Sequence, residues 1–319
     1  MVDGMRSLRC IIFAAAAALS AAGAAYAGGG PPRPIVVELY TSQGCSSCPP
    51  ADQILGRIAQ RPGIIAISLP ITYWDMLGWK DTLASEANTR RQKAYAAAMG
   101  HGGVYTPQIV VDGVADVVGS RQPALEVAIA ERRAQIEEAQ AVGQIEYARI
   151  AMQAAARAQI QAQREALEAE RAAEAAGGAH AVAVAVPIPP TPPLPPAMPA
   201  GLDPTVPVSI RETPQEMHID LPAVANVSNA TVWMIHLRSI VSVNIPAGEN
   251  AGRTVVYHNV ASDLRAVGVY KGKALSLTLP KAPMDHLPHD GVAVIVQQGG
   301  YGHVIGAALV TRPDYYAQQ

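Results

Sequence analysis

Short, mostly apolar runs mark the first strands of the chain. Ile35 to Tyr40 and Ile64 to Leu69 are short, rich in β-branched residues and bounded by breakers, the pattern of strands buried on both faces. Between them, Ala51 to Gln60 places Ile54, Leu55 and Ile58 on one helical stripe. Leu83 to Met99, rich in Ala, Gln and Arg, reads as a second helix stopped by Gly100. Gln108 to Val111 is a third strand, Asp112-Gly113 a tight turn tolerant of positive φ, and Val114 to Val118 the return strand. From Pro123 to about Ala176 the pattern is helical, with Ile129, Ile136, Ile145, Met152, Ile160 and Leu167 recurring every seven to nine residues. One large apolar residue per heptad makes a thin seam, so this stretch reads as a solvated helix, with a self-associating arm as the alternative.

Pro187 to Pro207 alternates proline with small apolar residues and reads as an extended linker. Beyond it, short runs alternate in the strand manner: Met217 to Leu221, Thr231 to Leu237, Val241 to Ile245, Thr254 to Val260, Ala274 to Leu279, Val292 to Val296 and His303 to Val310. The expected fold is an α/β thioredoxin-like N-terminal domain over 28–130 and a C-terminal antiparallel β-sandwich-like domain over 208–319. A long helix over 131–178 and a proline-rich linker over 179–207 join them. The alternative for the last strands is that they complete the first sheet.

Residues 1–27 read as a signal peptide. Arg6 and Arg9 precede the apolar run Ile11 to Ala25, and Ala25-Tyr26-Ala27 offers small residues for cleavage. The run is short for a membrane span. Export to the periplasm or beyond is therefore expected, with no membrane attachment after cleavage. Cleavage removes Cys10 and leaves Cys45 and Cys48, an even count that favours pairing in an oxidising compartment. The formal net charge of −2 and 5% aromatic content give no footprint for nucleic acid.

The candidate chemistry is the dithiol Cys45-Ser46-Ser47-Cys48, set between a buried strand and a helix. A helix N-terminus stabilises thiolate, which lowers the thiol pKa and promotes disulfide exchange. Pro49 and Pro50 imply that the helix starts at Pro49 with Cys48 as its cap. Thr106-Pro107 stands where this fold carries a cis-proline facing the dithiol. Tyr105, Thr106 and Trp74 are the candidate substrate contacts; Trp74 is either the apolar wall of a lid or, with Trp79, the filler of a core gap between domains, and Asp75 and Asp81 are loop caps. His101 with Cys45 and Cys48 would make a copper site, the alternative to having no cofactor. His286 and His289 are spaced like ligands, but Leu287-Pro288 between them reads as a loop.

Three segments carry a closer resemblance: Glu38 to Asp52 around the dithiol, Tyr73 to Asp81, and Val104 to Gln108. They resemble a bacterial family of exported thioredoxin-like proteins catalogued as domain of unknown function 1223. The resemblance runs to about Ala130 and resumes in the C-terminal region at Asp263-Leu264 and Gly299-Gly300. It implies fold and export and supplies no reaction; the long helix and linker depart from it. By analogy with thioredoxins, Cys45 attacks and Cys48 resolves. The expected activity is thiol–disulfide exchange with a protein or small-molecule partner. A copper-handling module, or a binding protein with a structural disulfide, are the alternatives.

Overall fold

The structure, a computed structural model, describes residues 33–175, 203–281 and 289–311. The expected signal peptide, nearly all of the proline-rich linker and His286 lie outside these residues.

Strand β1 (Ile35–Thr41) is buried along its whole length, as is β2 (Ile64–Pro70), and the two pair in parallel. Burial on both faces explains why these strands read as near-continuous apolar runs. Helix α1 (Pro49–Ala59) connects them, and α2 (Glu86–Ala98) follows β2, its N-cap Ser85 accepting the Asn88 N–H. β3 (Gln108–Val111) runs antiparallel to β1, and β4 (Ala115–Val118) returns beside β3. Asp112 and Gly113, both at positive φ, make the expected turn. The Asp112 carboxylate accepts the Val36 N–H and bonds from Arg33 and Arg132, each at 2.8 Å, which holds the turn against β1 and the long helix.

The 54-residue helix α3 (Gln122–Ala175) packs its first third on the sheet through Leu125, Ile129 and Ile136. α1 covers the same face with Leu55 and Ile58, while Tyr95 of α2 lies in the cluster on the opposite face.

The C-terminal strands are β5 (Ser209–Glu212), β6 (Glu216–Leu221), β7 (Ala230–Ile245), β8 (Arg253–Tyr270), β9 (Leu275–Pro280), β10 (Gly291–Gln298) and β11 (Val304–Thr311). The region is β-rich and two-layered, but one layer is not its own. β7, β8, β10 and β11 extend the N-terminal sheet into eight strands, ordered β11-β10-β7-β8-β2-β1-β3-β4, while β5-β6-β9 form a second, three-stranded sheet. A free-standing sandwich is thus corrected to a shared sheet. The junction is Ser68 beside Val260, reinforced by Asn259 Nδ2 donating to the Ala66 carbonyl at 2.9 Å. The cause lies in strand length. The runs Thr231 to Leu237 and Val241 to Ile245 are one 16-residue strand continuing past an irregularity at His236/Leu237, long enough to serve both layers.

Gly56 sits mid-helix in α1 because the His258 ring of β8 occupies the place of a side chain. A Cβ there would lie 2.5 Å from His258 Cδ2. Gly56→Ala therefore sets a helix-propensity gain of about 1 kcal/mol against overpacking of about 1–3 kcal/mol. A net loss of about 1 kcal/mol in urea unfolding is expected; a gain would show that the ring moves freely.

Candidate functional site

The dithiol loop leaves β1 at Thr41 and enters α1 at Pro49. Cys45 and Cys48 are joined by a disulfide, with Cα atoms 5.4 Å apart. Cys48 is the N-cap of α1, as the two prolines imply, and its carbonyl accepts the Ala51 N–H at 2.8 Å. Cys48 is fully buried and Cys45 keeps 4% exposure, so any attacking group meets Cys45 first. Ser46 and Ser47 between them are exposed.

Trp74 and the segment before β3 close one side. A Cβ on Gly44 would stand 3.1 Å from Trp74 Cβ, so glycine is what lets the tryptophan back onto the residue preceding Cys45. Trp74 Nε1 donates to Thr106 Oγ1 at 2.7 Å, tying that wall to the cis Thr106–Pro107 bond. Pro107 Cβ and Ala51 Cβ both crowd the position where Gly119 lacks a side chain, at 3.2 and 3.1 Å from an ideal Cβ. Trp74 thus lies against Gly44, next to Cys45, and is tied to Thr106, while Pro107 and Ala51 of α1 meet around Gly119.

Tyr105 and His101 are turned to another purpose. The Tyr105 hydroxyl donates to Asp116 Oδ2 at 2.6 Å, and His101 Nε2 lies 2.9 Å from Asp116 Oδ1. Burial alone would raise the Asp116 carboxyl, but hydrogen bonds from Tyr105, Gln108 and His101 outweigh it and hold the group below its ordinary value. Among the described residues, no three His, Cys, Asp or Glu side chains are grouped to hold a metal.

Beneath the loop, Gln43 is fully buried. Its backbone N–H donates to Asp81 at 2.7 Å, and its side-chain oxygen accepts the Trp79 indole N–H at 2.7 Å. Asp81 also accepts the Leu83 and Ala84 N–H groups, which makes it the loop cap expected.

Two further elements surround the dithiol. One is the tip of the β7–β8 hairpin. Asn250, 1% exposed, donates from Nδ2 to the carbonyls of Gln43 and Cys45, both at 2.9 Å. Arg253 holds the amide in that orientation at 3.1 Å, and Glu249 accepts the Ser46 N–H at 3.2 Å. Asn250→Ala leaves two loop carbonyls without their donor, a loss of about 1–3 kcal/mol. Faster reduction of the disulfide by small thiols should follow; an unchanged rate would mean that the hairpin tip does not restrain the loop.

The other is Asp52, in the first turn of α1 and four residues after Cys48. It is 2% exposed, and neither carboxylate oxygen has a hydrogen-bond partner among the described residues. Burial pushes its carboxyl well above the ordinary value, against a lowering from the nearby Thr41 hydroxyl, and Asp81 adds to the rise. Beside the loop runs a groove of about 480 Å³, lined by Pro49, Gln53, Arg253, Thr254, Val256 and His258. No described helix is long and apolar enough to cross a membrane.

Comparison with known proteins adds family and fold. The family described as "Protein of unknown function (DUF1223)" matches residues 36–185 and 196–297, so the long helix, expected to depart from the family, falls within the match. The crystal structure of protein AGR_C_4864 from Agrobacterium tumefaciens is similar at 24% identity and a TM-score of 0.59, covering 89% of this chain and 96% of that one. HBP35 of Porphyromonas gingivalis matches at 10% identity and a TM-score of 0.49, covering 89% of this chain and 76% of that one. No curated protein matches.

Proposed function

The chain belongs to the DUF1223 family, described only as of unknown function, and from that premise we propose that it is an exported thiol–disulfide exchange protein with a thioredoxin-like core. The observation that carries this reading is the position of the Cys45–Cys48 disulfide, at the junction of a buried parallel strand and a helix whose N-cap is Cys48. The order β1-α1-β2-α2-β3-β4, with β1 and β2 parallel and β3 and β4 antiparallel, supports the thioredoxin-like core. The segment 1–27 supports export to the periplasm or beyond, where no membrane attachment is needed.

The exchange runs in two steps. A thiolate of a partner dithiol attacks Cys45 Sγ, the S–S bond breaks, and its electron pair leaves on Cys48. The partner's second thiolate then attacks its own sulfur in the mixed disulfide and releases Cys45 as thiolate. The partner leaves oxidised by two electrons, and the protein retains two thiols once both sulfurs take up protons. The reverse sequence reduces a partner disulfide. The helix N-terminus favours charge on Cys48 as it leaves. Because Cys48 is fully buried, its proton needs a route inside the protein, and we assign that role to the carboxyl of Asp52 on the same helix. Trp74 and Thr106 shape the approach to Cys45.

The test is trapping. Cys48→Ser, treated with an aromatic disulfide, should hold a stable mixed disulfide on Cys45, while wild type releases both thiol equivalents. A Cys45 that forms no adduct in this variant would overturn the assignment.

A further inference from the structure

The long helix continues far beyond the body it packs on. Among the residues whose burial is described, Ala139 is the last buried one in it, and an α-helix rising about 1.5 Å per residue carries the rest of α3 about 54 Å further. Good helix formers keep such a stretch helical without help. They do not account for Ile145, Met152, Ile160 and Leu167, which stand 70, 74, 53 and 50% exposed.

Their spacing is 7, 8 and 7 residues, or 22 residues in about six turns, close to the 11-residue period that keeps a stripe on one face of a nearly straight helix. The spacing is also symmetric about Ala156. A two-fold axis there, perpendicular to an antiparallel pair of helices, sets Ile145 against Leu167 of a second copy and Met152 against Ile160. The residues nearest the axis, Ala154, Ala155, Ala156 and Ala158, are small enough for close approach.

The charges agree with this direction. In the same register, Glu146 of one helix falls within two residues of Arg164 of the other, on the same flank of the seam, and the symmetry makes the pair twice. A parallel in-register pair would instead set Glu146 against Glu146 and Arg164 against Arg164. Arg157 flanks the axis and meets its own copy at the seam's edge, where water screens both.

We propose that this helix is a self-association arm, and that a second copy of the chain docks antiparallel along Ile145, Met152, Ile160 and Leu167. The seam is short and about half of its contacts are alanine, so the dimer forms reversibly, with a dissociation constant on the order of 10 µM.

Sedimentation equilibrium of the purified chain, with Cys45 and Cys48 oxidised, tests this between about 1 and about 100 µM. Dimer should appear across that range and vanish in Met152→Glu/Ile160→Glu, whose exposed positions leave the fold and melting temperature unchanged. A wild type monomeric throughout overturns the proposal, as does a double variant that still dimerises. Direction is read by oxidative cross-linking in a Cys45→Ser/Cys48→Ser background. Ile145→Cys mixed with Leu167→Cys should form the 145–167 disulfide. Ile145→Cys alone should not, because its own copy lies about 33 Å away; a strong 145–145 cross-link would mean parallel pairing and overturn the register.

Discussion

Replacing Arg91 by alanine is expected to destabilise the protein by about 3–5 kcal/mol, the scale for removing one partner of a buried ion pair. Arg91 is 1% exposed and holds Glu38 of β1 with two bonds, Nε at 2.6 Å and Nη2 at 3.1 Å. The same Nη2 reaches the Tyr95 hydroxyl and Gln297 of β10, each at 3.1 Å, and the guanidinium lies 5.0 Å from the Trp233 ring centroid. Burial alone would weaken the charge on Arg91, but the Glu38 carboxylate and the neighbouring phenols more than offset it. Alanine would leave Glu38 buried with no cation and Gln297 without a contact that links the C-terminal strands to β1. Urea unfolding measures the loss. Arg91→Met with Glu38→Leu should recover part of it, because the uncompensated charge is then gone. A single-variant loss below about 1 kcal/mol would show that the cluster relaxes freely.

Asp52→Asn is expected to act in opposite directions on stability and on chemistry. A carboxyl whose folded value lies above its unfolded one binds more protons in the folded state across the interval between the two values. Stability therefore falls as pH rises from the ordinary carboxylate range, about 3.9, through the raised value of Asp52. Asparagine does not titrate and removes that slope. The variant should be more stable than wild type above the raised value, by on the order of 1–3 kcal/mol, with the gain shrinking as pH falls toward 4. Exchange should slow by on the order of 10²-fold, as for loss of a positioned proton carrier. Unfolding at several pH values and single-turnover reduction by a dithiol measure the two effects. A stability difference that stays constant with pH would show that Asp52 does not titrate between the folded and unfolded states.

The two effects bear on what the chain discloses before it folds. β1, β2 and β3 are legible because burial on both faces leaves a mostly apolar record, interrupted only by single polar residues such as Glu38 and Ser68. The start of α1 is legible because Pro49 and Pro50 leave little choice of cap. Fold order alone set Thr106-Pro107 just ahead of β3, where the cis bond is found, and Trp74 is tied to it through Thr106. The shared sheet stood only as the alternative, because Arg238-Ser239 interrupts β7 in the sequence without ending it in space, and a single bridge from Ser68 to Val260 has no signature. Asn250 reaches Cys45 across a sequence separation of 205 residues, and only the folded hairpin reveals it. His101 and Tyr105 were legible as polar residues near Pro107, but the attraction of Asp116 on β4, which turns both toward it, was not. Asp52 stood in plain view beside the dithiol; its significance comes from burial without a partner, which no spacing encodes.

If Cys45–Cys48 is an exchangeable redox couple, its reduction potential must show it. Equilibration of the purified chain with glutathione buffers, followed by alkylation and mass analysis, gives the value. The expected potential lies above roughly −230 mV, with one thiol reacting at a pKa clearly below the ordinary cysteine value of about 8.5. A potential below about −300 mV, with a disulfide inert to small thiols, would contradict it and leave the bond as a structural staple.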